Sequence, residues 1–159
     1  MEIERKFLVS TMPDLSDITP VRYERYYLIV KNGIEERIQK IDDHYTYEKK
    51  TAIDEYTRST DKRDISKGEY ENLKHSSSKA IVRDSYKISP NLSIKIYQGD
   101  YKGLIRAEVE FLSVEDAKNF QPKSWMGDEI TNTPLGKDSN LLQLDPESVT
   151  KLINQLSQS

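Results

Sequence analysis

Acidic side chains alternate along two short stretches, one at the start of the chain and one far along it. Glu2 and Glu4 are separated by a single residue, and so are Glu108 and Glu110. Residues two apart share one face of a β-strand, so each pair would present two carboxylates side by side. Carboxylate oxygens, water and phosphate are the ligands that Mg²⁺ and Mn²⁺ prefer. If the two strands are close, the pairs predict a carboxylate cluster that can bind a divalent metal.

Basic side chains alternate along the stretches between these acid pairs. Lys95 lies between two apolar residues, and Arg37 and Arg83 each have one apolar neighbour. Lys6 shares the face of the first acid pair. Arginine binds phosphate oxygens as a planar fork and lysine as a point charge. Metal, guanidinium and ammonium together suit phosphoryl transfer, which depends on positioning and charge neutralisation. The same alternation also occurs on the solvent faces of ordinary antiparallel sheets, so spacing alone leaves both interpretations open.

The elements that must position these residues are mostly strands. Period-2 alternation predicts strands at 1–9, 22–30, 34–42, 45–50, 55–64, 80–88, 92–98 and 104–112. Their apolar faces carry the Ile and Val residues. Their polar faces carry acid pairs on the first and last strands and mostly basic residues on the strands between. The fold class is therefore predicted as mainly β (α+β), an antiparallel barrel or strongly curved sheet with a charged interior. Such an interior needs a charged ligand, because unpaired buried charges are very costly.

Three peripheral helices are predicted from their first residues. Ser66 opens a capping box ahead of a helix over 67–77, and Ser113 opens a second, short helix. Asp145 as N-cap and Pro146 at the first helical position open the last one.

Composition narrows the classes of protein. The chain has 159 residues, a formal net charge of −3 and no cysteine. One domain over 1–159 is expected from this length. Disulfides, zinc–thiolate sites and cysteine nucleophiles are excluded. The charge balance gives no reason to expect binding to nucleic acid or to a membrane, and no apolar stretch is long enough for a span or a signal peptide. A soluble, cytoplasmic protein is expected.

The segment Glu2-Ile3-Glu4-Arg5-Lys6 resembles the Glu-x-Glu-x-Lys signature of the CYTH superfamily, the triphosphate tunnel metalloenzymes. The resemblance to its short, tripolyphosphatase-type bacterial members continues through the segments 25–28, 34–39, 45–50 and 107–113. It implies an eight-stranded antiparallel β-barrel that encloses a tunnel. It also implies one of four activities with Mg²⁺ or Mn²⁺: hydrolysis of inorganic triphosphate, hydrolysis of thiamine triphosphate, 5′-phosphate removal in RNA capping, or cyclisation of ATP.

The resemblance also implies roles for individual residues. Metal ligation is implied for Glu2, Glu4, Glu108 and Glu110, and phosphate contacts are implied for Lys6, Arg37, Lys50 and Arg83. Tyr27, together with Lys6, matches a residue that orients or activates the attacking water; packing in the barrel is the other interpretation of Tyr27. A shift of one residue in register would place Lys49 in the tunnel instead of Lys50.

Five positions depart from the family pattern. Gln39 and Ser85 stand where basic residues are expected, and Thr60, Lys62 and Lys95 stand where acids are expected. An ammonium group at Lys62 and at Lys95 would contact phosphate directly in place of a second metal ion.

The sequence thus predicts metal-dependent hydrolysis of inorganic triphosphate or a related triphosphate-bearing small molecule inside a charged β-tunnel. A non-catalytic polyphosphate- or nucleotide-binding module is the first alternative, because the five departures could record lost catalysis. A class IV type adenylate cyclase is the second, although no base-binding pocket is evident. A homodimer is possible.

Overall fold

A computed structural model describes residues 1–77 and 80–157. Its nine strands are β1 (Glu2–Val9), β2 (Val21–Lys31), β3 (Ile34–Ile41), β4 (His44–Ala52), β5 (Thr57–Asp64), β6 (Ala80–Ser89), β7 (Leu92–Tyr97), β8 (Ile105–Glu110) and β9 (Met126–Glu129). Its helices are α1 (Lys67–Lys74), α2 (Val114–Asn119), α3 (Asp138–Leu141) and α4 (Pro146–Ser157), with 3₁₀ turns at Gly99–Tyr101 and Pro134–Gly136.

The sheet closes into an antiparallel barrel of eight strands. The strand order is β5-β4-β3-β2-β6-β7-β8-β1, and β1 pairs with β5 through Glu2–Arg58 and Ile3–Thr57 to close the circle. The predicted barrel is thereby confirmed. The ninth strand was not predicted; β9 adds to the outer edge of β1, where Val9 pairs with Met126.

The barrel has an apolar outside and a polar inside, as the alternation predicts. Helix α1 covers one patch of the outer surface through Tyr70, which packs with Ile38 and Tyr45. A second patch around Phe7 is covered by Phe120, just after α2. The hydrophobic core thus lies between the barrel and its helices.

The predicted helix starts are also confirmed. The Ser66 and Ser113 side chains accept hydrogen bonds from the third residue of the following helix, and Asp145 accepts one from Ser148 N. Helix α1 is shorter than the predicted 67–77, because the chain turns after His75, its C-cap. Among the described residues, no helix combines the length and apolar composition that a membrane crossing requires.

The segment from Thr131 to α4 folds back over one end of the barrel. Leu135, Leu141 and Val149 pack there against Leu8 and Tyr27. Gly136 makes this approach possible, because a Cβ at that position would lie 2.2 Å from Ile130 O. This covered end is the closed end of the barrel. At the opposite, open end, the cavity is lined by Tyr23, Lys62, Lys95 and Glu110.

Candidate active site

The inward side chains enclose a cavity of about 270 Å³. Among the described residues, ten basic and seven acidic side chains line it, a formal excess of three positive charges. Its basic members are Lys6, Arg25, Arg37, Lys50, Arg58, Lys62, Arg83, Lys95, Arg106 and Lys137, and its acidic members are Glu2, Glu4, Glu35, Glu48, Glu108, Glu110 and Asp138. All ten residues predicted for metal or phosphate therefore lie around one cavity, and so does Tyr27.

At the closed end, Asp138 reaches into the barrel and binds three arginines. Its carboxylate lies 3.1 Å from Arg25, 3.4 Å from Arg83 and 3.0 Å from Arg106, and it accepts a hydrogen bond from Tyr97 OH. Asp138 is only 4% exposed. Burial opposes its ionisation, but the arginines outweigh burial and hold the pKa of Asp138 well below its ordinary value. Each of the three arginines at the closed end thus has an acidic partner supplied by the protein itself.

Glu108 belongs to the same ion-pair network. Its Oε2 accepts hydrogen bonds from Arg106 Nε at 2.9 Å and from Arg83 Nη1 at 3.2 Å. Burial works against ionisation here too, and Arg106 and Arg83 overcome it to keep the pKa of Glu108 well below its ordinary value. Arg106 also donates to Leu135 O and Asp138, so its guanidinium is occupied by protein acceptors.

The other three predicted metal ligands, Glu2, Glu4 and Glu110, are not part of the Asp138 network. Glu2 accepts hydrogen bonds from Lys50 at 2.6 Å and Arg58 at 3.1 Å, and Glu4 lies 3.2 Å from Arg58. Burial would raise the pKa of Glu2, but Lys50 and Arg58 lower it to about 2. Glu110 pairs with Glu4 across β1 and β8; burial, followed by repulsion from Glu4 and Glu2, raises the pKa of Glu110.

This trio fits a divalent cation by its chemistry. Carboxylate oxygens are hard donors, and Glu110 lies opposite Glu4 on the neighbouring strand. Within the described ranges, no three acidic or imidazole groups converge in the geometry of a metal centre. The reason is visible at Glu2 and Glu4, whose oxygens are held by Lys50 and Arg58.

Lys6 and Tyr27 lie near the closed end. Lys6 Nζ donates to Gly136 O at 2.7 Å and lies 3.1 Å from Glu4, and burial lowers its pKa. The Tyr27 ring packs in the apolar cluster, while its hydroxyl accepts a hydrogen bond from Arg37 at 3.2 Å. The packing interpretation thus describes the Tyr27 ring, whereas a role of its hydroxyl toward water stays a prediction. Burial raises the pKa of Tyr27, so the hydroxyl stays protonated at neutral pH.

Lys50, not Lys49, faces the cavity, which settles the register that the sequence left open. Lys50 binds Glu2, and burial followed by repulsion from Arg37 lowers its pKa to about 8. Arg37 makes a double hydrogen bond to Glu48, at 3.1 and 2.7 Å. Burial would raise the pKa of Glu48, but Arg37 lowers it to about 2. Both predicted phosphate contacts therefore have carboxylate partners in this structure.

Lys95 and one edge of Arg83 present donors on the buried cavity wall, although the Arg83 guanidinium also pairs with Glu108 and Asp138. Lys95 is 7% exposed and its Nζ donates to Ser85 Oγ at 2.7 Å; within the described ranges no carboxylate lies within ion-pair distance of it. Burial lowers the pKa of Lys95 to about 8. Arg83 is 3% exposed, and its Nε has no hydrogen-bond partner among the described residues. A buried donor without a partner is costly, so this edge of Arg83 is suited to a ligand oxygen.

The departures from the family pattern also line this interior. Gln39 accepts a hydrogen bond from Arg25 Nε, and Ser85 holds Lys95. Thr60 lies on the cavity wall beside Lys62. The Lys62 side chain is 51% exposed and lies 3.8 Å from Glu48, so it is a residue of the cavity rim.

Several charged members of the cavity were not predicted from the sequence. Arg106 lies two residues before Glu108, and Glu48 two before Lys50, so the same alternation could have identified both. Arg25 shares the inward face of β2 with Tyr27. Asp138 had no such signal, because it follows a 3₁₀ turn outside the barrel strands.

The closed barrel and the charged side chains that line its cavity define the class: a β-tunnel protein with a charged interior. Over 146 residues, 88% of this chain and 95% of its relative, the sequence is 30% identical to the inorganic triphosphatase of Nitrosomonas europaea. The chain therefore belongs to the CYTH superfamily, the triphosphate tunnel metalloenzymes.

Solved structures agree with this assignment. The crystal structure of the inorganic triphosphatase NE1496 matches with a TM-score of 0.62 and 28% identity, covering 89% of this chain and 93% of that one. The PH1012 protein from Pyrococcus horikoshii OT3 matches with a TM-score of 0.53 and 19% identity over 74% of this chain and 84% of that one, a likeness of fold alone. No family model matches the sequence.

Proposed function

We propose that this protein hydrolyses inorganic triphosphate, or a related triphosphate-bearing small molecule, with the help of Mg²⁺ or Mn²⁺. The observation that carries the proposal is the enclosed cavity with its formal excess of three positive charges. A linear polyanion would neutralise that excess, whereas a neutral ligand would not. The 30% identical relative, an inorganic triphosphatase, supports the same activity.

The phosphate chain would lie along the basic residues of the cavity. The proposed contacts are Lys6, Arg37, Lys50, Arg83 and Lys95, with Lys62 at the rim. Arg83 Nε and Lys95 can bind phosphate oxygens without giving up a carboxylate partner. Lys6, Lys50 and Arg37 are held by Glu4, Glu2 and Glu48, so they would exchange these acids for phosphate oxygens.

The carboxylates Glu2, Glu4, Glu108 and Glu110 are the proposed metal ligands. Mg²⁺ or Mn²⁺ held there would supply neutralisation of charge on the phosphate oxygens. Glu2, Glu4 and Glu110 would bind the ion from β1 and β8, while Glu108 also accepts hydrogen bonds from Arg83 and Arg106.

For inorganic triphosphate, the chemical step is attack of water on the terminal phosphorus, which breaks the bond to the bridging oxygen and releases orthophosphate and pyrophosphate, while the proton of the water passes to the phosphate products or to solvent. Tyr27, with its raised pKa, would orient the water through its protonated hydroxyl and is unsuited to accept the proton at neutral pH. Lys6 would place its ammonium on the oxygens of the attacked phosphate. Residues 1–159 would act as one domain; the cytoplasmic location, the absence of nucleic-acid binding and the possible homodimer stay predictions.

A second candidate is a binding module that holds polyphosphate or nucleotide without cleaving it. It is favoured by the ion pairs at Glu2 and Glu4, which leave the carboxylates bound to basic side chains. Phosphate release from triphosphate, thiamine triphosphate and ATP with Mg²⁺ or Mn²⁺ separates the two. Metal-dependent release from triphosphate is expected; binding without release would support the module, and formation of cyclic AMP would contradict both.

Glu4→Gln tests the carboxylate cluster. We expect the substitution to weaken metal binding and abolish hydrolysis while leaving the circular dichroism spectrum unchanged, because Gln keeps the shape but not the charge. Glu115→Gln, on the exposed surface of α2, is the control and should retain full activity. Full metal-dependent activity in Glu4→Gln would show that the carboxylates have no part in catalysis.

A further inference from the structure

The inner faces of β6 and β7 carry a second, smaller cavity at the open end. It measures about 140 Å³ and is lined by residues that include Ser85, Lys87, Ser93 and Lys95. Tyr23, Lys95 and Glu110 also line the main cavity, so the two spaces adjoin. A ligand that fills the main cavity can therefore continue into the smaller one.

The donors in this second cavity follow directly from strand register. Arg83, Ser85 and Lys87 alternate on the inward face of β6. Ser85 pairs with Lys95 on β7, and Lys87 pairs with Ser93. Cationic and hydroxyl donors thus continue from the main cavity toward the β6–β7 turn, where a phosphate group could accept hydrogen bonds from both kinds.

The ring of Tyr23 lies where the two cavities meet. Lys95 Nζ lies 5.2 Å from the ring centroid, the Arg83 guanidinium 5.5 Å and the Arg25 guanidinium 5.4 Å. A tyrosine ring can hold cations close together without neutralising them. Lys87 and Lys95 outnumber Glu110, the one acid among the described residues lining the smaller cavity, so an anion is favoured there.

We propose that this cavity, made of Ser85, Lys87, Ser93 and Lys95, binds a fourth phosphate, so that the protein accepts linear tetraphosphate and longer polyphosphate chains. The proposal rests on the proposed function, since it extends the same phosphate path. A chain is the preferred occupant because the smaller cavity opens into the larger one beside Lys95. Free orthophosphate would accept the same hydrogen bonds, so it is the alternative occupant of the smaller cavity.

The test compares tetraphosphate with triphosphate in Lys87→Met. Lys87 is exposed, so its loss should not affect folding. We expect kcat/KM for tetraphosphate to fall about fivefold, the range of a partly exposed charge–phosphate contact, and kcat/KM for triphosphate to change less than twofold. Lys102→Met, an exposed lysine beyond β7, is the control and should affect neither substrate. Ser85→Ala is a second variant and should also weaken tetraphosphate more than triphosphate.

Equal losses on both substrates, or no loss on tetraphosphate, would overturn the proposal. If Lys87→Met weakens inhibition by orthophosphate and leaves tetraphosphate unchanged, the cavity binds the free ion and the chain proposal is wrong. Calorimetric titration of metal-free protein with both polyphosphates separates this proposal from the proposed function. A selective loss of tetraphosphate affinity in Lys87→Met would support the cavity even if the unmodified protein hydrolyses nothing.

Discussion

The two ends of the tunnel handle buried charge in opposite ways. At the closed end, three arginines share two carboxylates, those of Asp138 and Glu108, in a network that the protein completes by itself. At the open end, Lys95 has only a hydroxyl partner among the described residues, and Lys62 points partly to solvent. The closed end thus pairs its arginines with the protein's own carboxylates, whereas the open end keeps positive charge available for a ligand.

Asp138→Ala should give the largest effect, because it leaves Arg25, Arg83 and Arg106 short of a buried partner. We expect the free energy of unfolding to fall by about 3 kcal/mol, measured by urea denaturation. Lys95→Met is the matched substitution at the open end and should leave stability unchanged or higher, because it removes an ammonium without an acidic partner. A similar loss of stability in both variants would show that the two ends do not differ in how they stabilise buried charge.

Lys50→Met should lower turnover of triphosphate by about a hundredfold, because it removes one positively charged group from the middle of the phosphate path. Lys49→Met is the control, since its side chain does not line the cavity, and it should stay within about threefold of the unmodified protein. Steady-state kinetics at saturating metal measure both. The reverse order of effects would mean that β4 is shifted by one residue.

The open end should also show a pH dependence. Lys95 has a pKa of about 8, so its positive charge is present below that pH and is lost above it. Lys95→Met should weaken triphosphate binding about tenfold at pH 7, and the ratio to the unmodified protein should approach one above pH 9. Taking the ratio removes the ionisation of triphosphate itself, which both proteins share. A ratio that does not vary with pH would show that Lys95 does not contact the ligand.

Lys62→Met should have the smallest effect, because an exposed charge is screened by water and salt. We expect KM for triphosphate to rise about twofold at low salt and to be unchanged at high salt. A loss as large as that of Lys50→Met would place Lys62 inside the phosphate path and extend the active region to the rim.

Alternation along single strands was enough to predict the barrel and most of its charged interior. It identified Glu2, Glu4 and Lys6 on one face because side-chain direction in a strand has a period of two. It did not identify Arg106 or Glu48, although both obey the same rule, because neither was among the residues to which the resemblance assigns a role. It left Lys49 and Lys50 undecided, since adjacent residues differ only by register.

The sequence by itself determined which side chains share a face, because that property is local to each strand. Only the tertiary structure decided which faces meet and what closes the tunnel. Asp138 contacts Arg25 from 113 positions along the chain, and no periodic pattern marks it. Its role depends on Gly136 and the packing of Leu135 and Leu141, which place the turn against the end of the barrel. The pairing of the arginines with Asp138 at the closed end is therefore a consequence of long-range packing, whereas the inward positive charge is a consequence of strand geometry.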